Sequence, residues 1–369
     1  PTILNKFENI QKDKNFFQGL KTGFTGLDRL TNGLHAGNLV ILAARPSIGK
    51  TTLAMNIVEN VAVRERAVCA VFALEMTKEE LGQRMMCSVA NVSNQDAVKG
   101  KLEDDDWRRL WEAQKILNET KIFVDDTSMT TCTEILSKCR RLKSREGKLD
   151  LIVVDHIQLM NAVKSSDSRQ QEVSEISRGL KMIAKELEVP VLALSQLSRL
   201  ITGRKGQRPM LSDLRESGAI EQDADIIMFL YREHDPNDQT VDEDTRTKCD
   251  IIVAKHRNGR TDKVTVRWHG EYTTFTDLYE NKTDAAIEAR MPNFENHFTG
   301  MDDDPLAPPP EDNGFVLPPI DSYDAPEERG AKKKQEKPQE APPESADGFS
   351  FGDDPFSLPV KPRNDDDII

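Results

Sequence analysis

Short apolar runs recur along the first three-quarters of the chain, and most are followed by a longer segment in which apolar residues return at helical spacing. The runs are Leu39 to Ala43, Val68 to Leu74, Lys121 to Val124, Leu151 to Val154, Val191 to Leu194, Ile226 to Tyr231 and Ile251 to Ala254. They are almost continuously apolar, which predicts strands covered on both faces. Alternation with helical segments predicts crossover units and a mainly parallel sheet. Thr77-Lys-Glu-Glu80 has capping-box spacing ahead of a helix to about Ala90, and Asp104 to Leu117, Thr133 to Arg145 and Arg169 to Leu187 also read as helices. After about Asp262 the period falls to two. Val264, Val266 and Trp268 share a face, and Tyr272 to Phe275 follows a Gly-Glu turn, so an antiparallel hairpin should close the sheet edge. Near the start, Ile3, Leu4, Phe7 and Ile10 suit a short amphipathic helix or linker without a core of its own. No internal repeat is visible, which excludes solenoids and propellers.

Composition divides the chain near Pro292. Of 63 acidic residues, 50 basic residues and 19 prolines, the segment from Asn293 onward holds 19, 7 and 13. Nearly all of the formal net charge of −13 therefore belongs to that tail. The acidic overall balance does not argue against a nucleic-acid partner for the remainder, which is close to neutral. Rich in proline and poor in aliphatics, the tail has too little apolar surface to offset the entropy of ordering and is expected to be disordered. The expected organisation is a linker-helix remnant at 1–20, one large α/β domain at 21–292, and a disordered acidic, proline-rich tail at 293–369. Five cysteines, Cys69, Cys87, Cys132, Cys139 and Cys249, form no CxxC pair and are expected to be reduced, buried and structural. No apolar run approaches the roughly 18 residues of a membrane span, and no signal-peptide pattern opens the chain, so a cytosolic protein is expected. A start at Pro1 suggests a fragment of a longer chain, or one from which Met was trimmed.

The most specific chemistry lies in Ala44-Arg-Pro-Ser-Ile-Gly-Lys-Thr51, which follows an apolar strand and opens a helix, as a GxxxxGK[ST] phosphate loop requires. Only its first position, Ala44, departs. Such a loop wraps main-chain N–H groups around phosphates at a helix N-terminus, so Arg45, Pro46, Ser47, Ile48, Gly49, Lys50, Thr51 and Thr52 form the candidate nucleotide cradle. Lys50 adds a point charge on the β- and γ-oxygens, and Thr51 offers its hydroxyl to Mg²⁺. Asp155 ends the run Leu151 to Val154 and is the candidate carboxylate for the metal. Glu75, just past another strand, is the candidate base for the attacking water. Gln196 could sense the γ-phosphate, or could only hold a loop. Lys255 and Arg257 end a further strand, where an arginine donated to a neighbouring subunit would stabilise charge in the transition state; a surface strand-end arginine is the commoner reading. Arg199, Arg204, Lys205, Arg208 and Arg215 make a basic stretch with few apolar residues, suited to a nucleic-acid backbone.

Together these blocks resemble the motor domain of DnaB-family replicative helicases, a branch of the RecA-like fold. The match runs from about Thr22 to Thr276 and includes Thr22-Gly-Phe, Leu27-Asp28, the phosphate loop, Phe72-Ala-Leu-Glu-Met76 and Val154-Asp-His-Ile-Gln-Leu-Met160. It continues through Ala193-Leu-Ser-Gln-Leu-Ser-Arg199, the block Asp213 to Asp225 with its Arg-Glu-Ser-Gly, and Ala254-Lys-His-Arg-Asn-Gly259. The resemblance implies an ATP- and Mg²⁺-dependent motor, translocating on single-stranded DNA as a hexameric ring and unwinding duplex DNA. It makes Lys50 and Thr51 the nucleotide and metal residues, Asp155 the Mg²⁺ support, Glu75 the base and Gln196 the γ-phosphate sensor. Lys255 and Arg257 would then act across the subunit interface. The DNA grip is implied for Arg215, Glu216 through its main-chain N–H, and Gly218. His156 stands where Tyr is common in the family, which leaves the metal carboxylate itself untouched. The family's N-terminal collar domain is missing, so the chain is cut short or its partner interactions differ. In the tail, apolar islands at Gly314 to Leu317, Phe349 to Phe351, Phe356 and Asp365 to Ile369 suit docking to a replication protein, or the tail screens the DNA site by mimicking its charge. A RecA-like recombinase-type DNA-dependent ATPase is the alternative. A phosphotransferase or signalling ATPase without nucleic acid is a third possibility.

Overall fold

The computed structural model describes Lys12 and residues 19–162, 168–197, 208–214, 218–235 and 240–278. The linker segment, apart from Lys12, and the tail from residue 293 lie outside the described residues. Six parallel strands make the centre: β1 (Leu39–Ala44), β2 (Val68–Ala73), β3 (Lys121–Asp125), β4 (Leu151–Asp155), β5 (Val191–Gln196) and β6 (Ile226–Tyr231). Three antiparallel strands continue the sheet, β7 (Lys248–His256), β8 (Asp262–His269) and β9 (Thr274–Asp277), in the order β3-β2-β4-β5-β1-β6-β7-β8-β9. The last two form the expected hairpin.

Helices cover both faces. On one side lie α1 (Thr25–Thr31), α2 (Lys50–Arg64) and α3 (Lys78–Ala90), contributing Leu27, Leu53, Ile57, Leu81 and Met85 to one core. After α4 (Asn94–Lys99) and α5 (Asp104–Asn118), the other side is built by α6 (Cys132–Glu146), α7 (Arg169–Leu187) and α8 (Gly218–Asp223), with Ile135, Leu142, Ile176, Leu180 and Ile220 in a second core. In β1, Val40, Leu42 and Ala44 serve the first core while Leu39, Ile41 and Ala43 serve the second. Burial on both faces is why these strands read as continuous apolar runs.

Several expectations are met closely. Helix α7 spans the residues expected, and the Thr77/Glu80 box closes in both directions, each donor to acceptor at 3.2 Å. The pattern of apolar runs groups Ile251 to Ala254 with the crossover strands, but β7 runs antiparallel to β6. Its buried residues, Cys249, Ile251 and Val253, alternate with partly buried ones, the mark of a strand with one face in the core. Among the described residues of the preceding connection only a one-turn helix, α9 (Glu243–Arg246), is present, not a crossover helix. Helices α1 and α4 give no clear periodic signal because each has only one or two turns. Four of the free cysteines are buried as expected, whereas Cys132 at the start of α6 is only partly so. Among the described residues no helix is long and apolar enough to cross a membrane.

Candidate active site

The carboxyl ends of the parallel strands define one edge of the sheet, and the chemistry-bearing residues collect there. From Ala44 the chain turns through a loop in which Ser47 has φ +64° and Gly49 φ +105°, then enters α2 at Lys50. The first intrahelical bond runs from the Leu53 N–H to the Gly49 carbonyl at 2.9 Å. The amides of Lys50, Thr51 and Thr52 therefore have no helical acceptor and open towards an anion. Phe275 of β9 buttresses the loop: it is fully buried, lies 4.7 Å centroid to centroid from Trp268, and accepts the close approach of Gly49. Its main-chain N–H donates to Asn56 Oδ1 of α2 at 2.9 Å. Arg232, lying 5.3 Å over the Trp268 ring, donates to the Ile48 carbonyl at 3.3 Å. Neither contact is legible in the sequence, because β9 joins the loop only through the fold.

Asp155 reaches this loop across β5. Its Oδ2 accepts the Thr51 hydroxyl at 2.6 Å, and its Oδ1 lies 3.4 Å from Lys50 Nζ. The Leu74 N–H donates to the Asp155 carbonyl at 2.8 Å, which registers the segment carrying Glu75 against β4. Glu75, more than half exposed, comes within 3.3 Å of His156 Nδ1. Candidate ligand atoms of Glu75, Asp155 and His156 lie within 4.8 Å of one another. Asp155 Oδ1 and His156 Nδ1 are buried without a hydrogen-bond partner among the described residues. Two such groups beside a threonine hydroxyl fit a divalent cation, since leaving them unsatisfied costs free energy that ligation would recover. The sequence marks His156 only as a neutral departure from the family pattern, but its position in this cluster makes it part of the site. Adjacency to Asp155 is its one signal in the sequence.

Electrostatics follow from crowding. Burial pulls the Lys50 ammonium below the ordinary lysine value, opposed by the carboxylates of Asp155 and Glu75. Burial also lowers the His156 imidazole, and the charge of Lys50 adds to that, while Asp155 and Glu75 oppose it. His156 is therefore neutral at pH 7 and able to accept a proton or ligate a metal.

Gln196 ends β5 level with Ala44, with an exposed side chain. Gln158 fixes its main chain: Gln158 Nε2 donates to Ser195 Oγ at 2.9 Å and to the Gln196 carbonyl at 3.2 Å, while the Gln196 N–H donates to Gln158 Oε1 at 3.2 Å. Sequence reasoning missed Gln158. Lys255 and Arg257 do not join the cluster. Ile226 pairs with both Val40 and His256, and the Arg257 N–H bonds the Asp225 carbonyl, so both cations stand level with the start of β1. That is roughly 16 Å along the strands from Ala44, at about 3.3 Å per residue. Arg257 is thus turned away from the phosphate loop of its own chain. Of the candidate DNA residues, Arg208 is half exposed and lies 3.5 Å from Asp250, and Gly218 opens α8. Arg199, Arg204, Lys205, Arg215 and Glu216 lie outside the described residues.

A sequence profile of the DnaB-like helicase C-terminal domain matches residues 19–277. The chain is 46% identical over 286 residues to the replicative DNA helicase DnaC of Bacillus subtilis strain 168, covering 77% of this chain and 62% of that one. It is 45% identical over 289 residues to the replicative DNA helicase DnaB of Geobacillus stearothermophilus, covering 77% and 63%. The chain thus spans about three-fifths of the length of the curated relatives it matches. Among solved structures, an isolated ATPase domain superposes with a TM-score of 0.70 at 38% identity, covering 75% of this chain and 97% of that one. A DnaB-like replicative helicase, described with its interactions with primase, gives a TM-score of 0.69 at 38% identity, covering 75% and 66%.

Proposed function

Because the chain belongs to the DnaB-like helicase family, we propose that it is the ATP-driven motor of a replicative DNA helicase, translocating on single-stranded DNA as a hexameric ring and unwinding duplex DNA. The observation that carries this reading is the Thr51 hydroxyl on the Asp155 carboxylate, beside Lys50 and across from Glu75.

In this reading the amides from Arg45 to Thr52 bind the phosphates, and Lys50 neutralises the β- and γ-oxygens. Mg²⁺, held by Thr51 and Asp155, would supply further charge neutralisation on the same phosphates. Glu75 takes the proton of the attacking water, and its solvent exposure lets that proton leave afterwards. Gln196, with its main chain pinned by Gln158, offers its amide to the γ-phosphate. Lys255 and Arg257 serve the next subunit's nucleotide, which agrees with their distance from the phosphate loop of their own chain. DNA is held by its backbone through Arg215, the Glu216 main-chain N–H and Gly218. Arg199, Arg204, Lys205 and Arg208 add positive charge, so binding should weaken steeply with salt.

ATP hydrolysis with and without single-stranded DNA, with assembly state followed in parallel, tests the proposal. Rings of six with DNA-stimulated hydrolysis are expected. Nucleotide-dependent filaments with poor strand separation would point instead to a recombinase-type ATPase, and hydrolysis indifferent to DNA would remove nucleic acid from the reading.

A further inference from the structure

Arg257 does not hang freely from the end of β7. Its Nη2 donates to the Gln222 carbonyl at 2.7 Å and its Nη1 to Asp225 Oδ1 at 3.1 Å, while the guanidinium side chain remains 46% exposed. Lys255 bonds the neighbouring carbonyls of Glu221 and, at 2.8 Å, Ala224. Both cations thus sit on main-chain acceptors at the carboxyl end of α8, where the helix dipole favours positive charge. Asp225 is itself immobilised. It is buried, and its Oδ2 accepts the Leu39 N–H at 2.8 Å together with the ammonium of Lys181. Its Oδ1 is left to Arg257. Leu39 begins the strand that ends in the phosphate loop, so one carboxylate ties the guanidinium to the strand bearing the chain's own nucleotide cradle.

We propose that Asp225 is the positioning residue for Arg257, holding the guanidinium in the orientation in which it meets the phosphates bound by the neighbouring subunit. This rests on the reading of Arg257 as a cation acting in trans. A long side chain ordered only at the moment of reaction loses conformational freedom there, whereas one already forked between Asp225 and Gln222 has lost it on folding. Geometry matters as much as charge, since a misplacement of about 1 Å in a reacting constellation can cost about 10²-fold in rate.

The test compares Asp225→Asn, Arg257→Ala, their double variant and Lys181→Met in the full chain, reading kcat and KM for DNA-stimulated ATP hydrolysis together with Tm. Arg257→Ala is expected to lower kcat by about 10³-fold or more with nucleotide binding retained. Asp225→Asn should lower kcat at least about tenfold with KM little changed, and should add nothing once Arg257 is gone. Lys181→Met removes the other cation from the same carboxylate and should lower Tm while leaving kcat within about threefold of the parent. Three results would overturn the proposal: normal kcat in Asp225→Asn, an equal further loss in the Arg257→Ala background, or a kcat loss in Lys181→Met matching that of Asp225→Asn. Normal turnover in Arg257→Ala would remove the trans reading itself and the proposal with it. If Asp225→Asn does not assemble, Asp225→Glu keeps the charge but moves the carboxylate by one methylene, so kcat should still fall at retained Tm; full activity there would overturn the proposal.

Discussion

Replacing Gly49 by alanine puts the link between the sheet edge and the phosphate cradle under direct strain. At φ +105° an alanine costs about 1–2 kcal/mol relative to an ordinary helical or extended conformation. The new Cβ would also lie 3.0 Å from Phe275 Cζ and 3.2 Å from Cε2. That ring cannot retreat cheaply, because it is fully buried against Trp268 and its main chain is tied to Asn56. Overpacking of this kind costs about 1–3 kcal/mol. The loop should yield before the sheet does, since its amides have no acceptor until phosphate arrives, and binding must then restore the strained turn. A total of about 2–5 kcal/mol, at about 1.4 kcal/mol per factor of ten, lowers nucleotide affinity at least about 30-fold. Titration with a fluorescent ATP analogue in Mg²⁺ measures it, and Phe275→Leu added to Gly49→Ala should restore only the packing share. The reasoning is refuted if Gly49→Ala binds within about threefold of the parent, or if Phe275→Leu restores affinity completely.

Lys50→Ala should abolish turnover, because it removes the phosphate charge and leaves buried Asp155 without its cation; residual hydrolysis above about a tenth of the parent's would contradict the assignment. Burial raises the Asp125 carboxyl, but bonds from Lys138 and Thr127 outweigh it and hold the group below the ordinary carboxylate value. A depressed pKa contributes stability above the unfolded-state value and loses it as pH falls through the folded one. Asp125→Asn should therefore lower Tm at neutral pH and flatten its decline below about pH 4; parallel acid limbs in the two proteins would argue against the linkage. Removing residues 293–369 should tighten single-stranded-DNA binding at low salt if the tail screens the DNA site, and unchanged affinity there discards screening.

What could be read along the chain was what depends on near neighbours. Continuous apolar runs marked the buried parallel strands, the Thr77/Glu80 spacing marked a helix start, and the phosphate loop, Glu75, Asp155 and Gln196 were each visible as polar residues at or just past a strand. Their meeting was not visible in the same sense. It depends on the order β2-β4-β5-β1, which inserts β5 between the phosphate loop and Asp155 and still brings Thr51 and Asp155 to 2.6 Å. His156, Gln158 and Arg232 gained their places only when strands distant in sequence came into register. The same is true of Phe275 behind Gly49 and of Asp225 between Leu39 and Arg257. Local propensity and periodicity act over a few residues and select strand or helix. Pairing order and register are decided by burying all those apolar faces at once, and only that global packing determines which distant side chains touch.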